Sequence, residues 1–73
     1  MQTHLKRSLT IKGHSTSVAL EAEFWAVLEE IAGARPISLT GLIVEVDSRR
    51  NAANQNLASA LRVHALNHCL SKA

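Results

Sequence analysis

Cysteine occurs once in the sequence, as Cys69, so no disulfide can close within the chain. No Cys/His grouping has the spacing of a structural zinc site, and no metal site is expected. Aromatic residues make up only 3% of the chain, and the longest apolar runs, such as GLIV at 41–44, are far too short to span a membrane. The opening MQTHLKRSLTI lacks the continuous apolar core of a signal peptide. A soluble, reducing, cytoplasmic setting is therefore expected. Glycine-rich phosphate loops, nucleophile motifs and carboxylate clusters are also missing, so neither an enzyme activity nor a catalytic residue or cofactor is expected.

A chain of 73 residues sits near the lower limit at which one hydrophobic core stabilises a monomer. With no disulfide or metal to supplement the core, association with a second copy is the expected remedy. A hydrophobic content of 47%, almost all aliphatic, suits a helical interface between two chains. Net charge is only +2, but Lys6, Arg7 and Lys12, with His4 and His14 nearby, all precede the first acid, Glu21. Two copies double this basic cluster, and clustered positive charge favours phosphate.

Periodicity divides the chain into one domain, mainly α with a short β ribbon. Residues 1–6 read as a flexible arm. From 7 to 20, Leu9, Ile11, Thr16, Val18 and Leu20 alternate with polar residues, as in a hairpin turning at Gly13-His14 or at Lys12-Gly13. Either turn keeps Leu9, Ile11, Thr16 and Val18 on one face, and Ser8, Thr10, Ser15, Ser17 and Ala19 on the other. A first helix is predicted over 21–32, with Glu21 and Glu23 in its first turn, Gly33 as a left-handed cap and Pro36 as a stop. Ser38 is a natural N-cap for a second helix over 39–48, with Ile37 and Leu42 spaced as a hydrophobic staple. The polar loop SRRNAANQN follows. Asn54 or Asn56 then caps a third helix over 57–70. Trp25, beside the Phe24, Leu28 and Ile31 stripe, is expected to lie under the third helix or a partner chain.

The stretch TSVALEAEFWAVLEEIAGARPISLTGLIVEV, one strand running into two helices, resembles the ribbon-helix-helix (MetJ/Arc-type) family of small dimeric DNA-binding proteins. The likeness covers Ser15 to about Arg50. Helix three lies outside that minimal unit, yet NLASALRVHALNHCL resembles the tail of a subgroup of short bacterial ribbon-helix-helix proteins, whose strand and first helix resemble GHSTSVALEAEFW. The resemblance implies a homodimer that lays paired strands in the major groove of double-stranded DNA to regulate transcription.

By that resemblance Ser15, Ser17 and Ala19 face the bases, and backbone amides of Ser38, Leu39 and Thr40 hold a phosphate. Val18, Leu20, Leu42, Ile43 and Val46 form the dimer core. Lys6, Arg7 and Lys12 supply sequence-independent phosphate contacts, and Arg35 lies near enough in sequence to share the phosphate at Ser38. Arg49 and Arg50 complement the dipole at the end of helix two. Arg, Lys, Asn and Gln, which give bidentate base recognition, are absent from the three base-facing positions, so discrimination between bases should be modest. His64 and His68 stand four apart on helix three but lack further ligands, and they read as packing residues. Two alternatives stay open. One is a dimeric interaction module that binds a protein partner through helix three, with little DNA binding. The other is the antitoxin of a toxin–antitoxin pair, although the C-terminus reads as helical and compact, not long, acidic and disordered.

Overall fold

The computed structural model describes residues 4–49 and 56–72. Two antiparallel strands, β1 (His4–Ile11) and β2 (His14–Glu21), are followed by α1 (Ala22–Ala34), α2 (Leu39–Arg49) and α3 (Leu57–Lys72). This is the expected ribbon and two helices, with a strand added in front and a helix behind. β1 begins at His4, so residues 4–6 lie in the hairpin and do not form an arm.

The hairpin turns at Lys12-Gly13, with φ of 52° and 81°, the two positive values of a type I′ turn. Of the two turns the sequence allowed, Gly13-His14 is excluded by the pairing of Ile11 with His14. A right-handed ribbon twist favours this turn, and glycine accommodates the second left-handed residue without strain. Arg7 pairs with Val18, Leu9 with Thr16 and Leu5 with Leu20, so these residues share the face turned towards the helices. Lys6 with Ala19, Ser8 with Ser17 and Thr10 with Ser15 share the other.

α1 continues through Gly33, which keeps a helical backbone, so the left-handed cap expected there does not form. Pro36 stops the helix by a different route. Proline has no N–H to offer the carbonyl of Ala32, four residues back, and Ile37 N–H reaches that oxygen instead at 2.8 Å. Ser38 then caps α2 as expected, its Oγ accepting from Gly41 N–H at 2.9 Å. Asn56 caps α3 in the same way, its Oδ1 accepting from Ser59 N–H at 2.7 Å, while Asn54 lies outside the described residues.

Sheet and helices close one core. Leu20, Leu28, Leu42, Ile43 and Leu61 are completely buried, and Ile11, Val18, Trp25, Ile31, Val46 and Ala65 nearly so. α3 packs across α1, α2 and β2. Trp25 is buried on the β1 side, where its indole N–H donates to the Leu5 carbonyl at 2.8 Å and the Arg7 guanidinium lies 4.6 Å from the ring centre. β1 thus gives the indole a cover that was not expected from sequence, within a core to which α3 also contributes Ala60, Leu61 and Ala65.

Candidate nucleic-acid interface

Side chains of alternate strand residues leave opposite faces of a sheet, so the hairpin register alone builds a polar outer face. Ser15, Ser17 and Ala19 on β2 and Lys6, Ser8 and Thr10 on β1 are all exposed there. Four hydroxyls thus stand in two adjacent rows, with Lys6 at one end and Lys12 at the turn. Glu21, the acid at the open end of this face, is bound by Arg62 at 3.0 Å and His4 at 3.1 Å. Its own backbone amide, and then Arg62, hold that carboxyl below the usual range. The only acid on the outer face among the described residues is therefore neutralised.

Most cations are already committed. Arg35 and Arg49 both bind Glu45, Lys72 and His68 both bind Glu30, and Arg62 binds Glu21. Lys6 and Lys12 carry no ion pair among the described residues, so they remain available to a ligand. Arg7 behaves differently from its neighbours. Its parity turns it inward, over Trp25 and within 3.4 Å of Glu29, so it braces the sheet against α1 and leaves the row of free cations expected from sequence. Arg35 is likewise paired with Glu45. Arg50 lies outside the described residues.

Ser38 and Thr40 are exposed at the start of α2 and Leu39 is half-buried. Asp47, near the other end of that helix, borders the hairpin turn with Ile11, Lys12 and His14. At about 1.5 Å of rise per residue, the capped start of α2 lies about 12 Å along the helix from Asp47.

The five residues assigned to a dimer core are spent differently. Val18, Leu20, Leu42, Ile43 and Val46 are 0–6% exposed within a single chain, because α3 supplies the apolar cover that a second chain was expected to provide. What the sheet leaves open is its two edges, and that of β2 is the one that leads into the helices. A two-residue loop closes on a doubly hydrogen-bonded pair, here Ile11 and His14, so alternate residues 14, 16, 18 and 20 direct their backbone groups to β1. Ser15, Ser17 and Ala19 direct theirs outward. No backbone partner meets them among the described residues. An open depression of about 440 Å³ runs along this edge, between Thr16 to Ala19 and the start of α3.

His64 and His68 lie in different surroundings. His68 Nε2 lies 3.1 Å from Glu30, while partial burial and the nearby Arg49 depress the pKa of His64. No group of three metal-ligating side chains occurs among the described residues, and no described helix is long and apolar enough to cross a membrane. Cys69 is exposed beside an apolar hollow lined by Phe24, Val27 and Leu66.

Ser8 and Thr10, which had no assigned role from sequence, share the outer face with the three β2 positions. The signal was the hairpin parity, which makes them neighbours of Ser17 and Ser15.

An antiparallel ribbon whose second strand runs directly into two helices is the ribbon-helix-helix arrangement. The family model described as ribbon-helix-helix domain matches residues 4–69, and the chain belongs to that family. Among solved structures, an uncharacterized protein from Bordetella pertussis Tohama I is similar, with 42% identity and a TM-score of 0.77 over 92% of this chain. The chain spans 56% of the length of that protein. No curated protein matches.

Proposed function

We propose that the protein is a homodimeric DNA-binding regulator of transcription, acting in the cytoplasm, that places the outer face of its β ribbon in the major groove of double-stranded DNA. The observation that carries this is the outer face itself, rich in hydroxyls, neutral at its one described acid and flanked by Lys6 and Lys12 without acid partners among the described residues. Ser15, Ser17 and Ala19 face the bases. Serine hydroxyls donate or accept, and the Ala19 methyl suits a thymine methyl, so base preference is modest and charge supplies much of the affinity. The free outer edge of β2 supports the dimer, since an unpaired strand edge is a template for a second strand. Backbone amides at Ser38, Leu39 and Thr40 add a phosphate contact at the positive end of α2.

A titration of random and genomic duplexes across salt concentrations tests this proposal. Binding should weaken steeply with salt and differ only modestly between sequences. A second reading, a dimeric interaction module, is favoured by one observation: Val63, Leu66 and Leu70 form an apolar stripe on α3 that is 45–63% exposed. That reading expects no duplex binding even at low salt.

A further inference from the structure

We infer that the outer face of β1, formed by Lys6, Ser8 and Thr10, is a phosphate-binding row that grips both rims of the major groove while β2 alone meets the bases. The inference rests on the DNA reading above and assigns β1 a task within it.

Dimensions decide the division of labour. Outward backbone groups of Ser15, Ser17 and Ala19 pair β2 with its copy, which gives a sheet of order β1, β2, β2 of the partner, β1 of the partner. Neighbouring strands lie about 4.8 Å apart, so the two central strands fit side by side inside a groove about 12 Å wide. The two outer strands stand about 14 Å apart, and their axes fall at the sugar-phosphate walls. Side chains leaving β1 on the DNA face therefore meet phosphate oxygens. The row has suitable chemistry for that position. Lys6 has no acid partner among the described residues, and Ser8 and Thr10 are exposed hydroxyls that donate to anionic oxygen. Their inward neighbour Arg7 is clamped over Trp25 and tied to Glu29, and Trp25 holds the Leu5 carbonyl. β1 is thereby anchored beside the row, so these groups need little ordering on binding.

The test compares the wild-type chain with Lys6→Ala and with the double variant Ser8→Ala/Thr10→Val, titrated against a panel of duplexes across salt concentrations. All three changes are on a solvent face, and thermal melting by circular dichroism checks that the fold is retained. Lys6→Ala should make the slope of log affinity against log salt shallower by about two per dimer, one for each lost cation. The double variant should weaken binding roughly ten-fold or more on every duplex, without changing their order of preference. A changed order would place β1 over the bases, and unchanged affinity would place it off the DNA; either overturns the inference while leaving DNA binding in place. Absence of wild-type binding overturns the inference together with the reading beneath it.

Discussion

Trp25 shows how much one side chain can coordinate. Its ring fills the space between α1 and β1, its N–H satisfies the Leu5 carbonyl, and its face carries Arg7. Trp25→Ala should cost about 3–5 kcal/mol by denaturant unfolding, as removal of a buried aromatic does. Trp25→Phe keeps most of the apolar volume and removes only the indole's bond to a carbonyl that Leu20 also faces across the hairpin, so it should cost about 1 kcal/mol or less. Histidine gives a pH signature at the same scale. His64 titrates below the usual 6.5 because it is partly buried and Arg49 is near. The unfolded chain therefore binds that proton more readily than the folded one. The stabilising contribution is complete above pH 6.5 and is lost as the pH falls through the depressed folded value. The melting temperature should decline on acidification from neutral pH, before Glu21, Glu30 and Glu45 come into play below their usual 4.5. His64→Gln should flatten that first decline. An unchanged pH profile in the variant would show that His64 is not its source.

Elements were legible in the sequence where local chemistry and long-range packing agreed. Ser38 and Asn56 cap helices in the way their side chains do best, and the alternation of Leu9, Ile11, Val18 and Leu20 placed both strand faces correctly. Where local signals competed, the outcome depended on neighbours the sequence does not display. Arg7 interrupts an apolar face and reads as a free cation, until Trp25 arrives from α1 to lie beneath it. Gly33 reads as a cap, yet Pro36 and the Ile37 amide end the helix later, and Gly33 is left inside α1. A helical glycine loses backbone entropy without benefit, and a methyl group there meets nothing within 4 Å. Gly33→Ala should therefore stabilise the protein by about 0.5–1 kcal/mol in chemical unfolding. The turn offers a sharper dissection. Lys12 holds a left-handed backbone that asparagine adopts more easily, so Lys12→Asn should raise stability slightly while removing a cation. If Lys12 also touches phosphate, this more stable variant binds DNA less tightly. Equal loss of stability and affinity would mean that the turn had been distorted.

At the scale of the whole molecule, the sequence suggested that so small a chain needs a partner to complete its core. α3 alters that conclusion, because Leu61 and Ala65 help to close the core that Leu20, Leu42, Ile43 and Val46 began. In the proposed dimer the contact with a partner moves from the core to the outer edge of β2, whose outward amides and carbonyls have no backbone partner among the described residues. On that proposal dimer formation and folding are separable. Ser17 is the position at which to separate them. Its N–H points away from β1, so proline there removes no hydrogen bond within the hairpin, and an edge strand tolerates it. Thr16, one residue earlier, directs its N–H to Leu9, and proline at that site breaks the hairpin itself. Wild-type protein should sediment as a dimer at micromolar concentration. Ser17→Pro should sediment as a monomer that keeps its helical circular dichroism and binds DNA weakly, whereas Thr16→Pro should lose structure. A Ser17→Pro chain that still dimerises would place the interface on another surface, with the apolar stripe of Val63, Leu66 and Leu70 as the alternative. A Ser17→Pro chain that unfolds while Thr16→Pro survives would instead reverse the assignment of inward and outward backbone groups along β2.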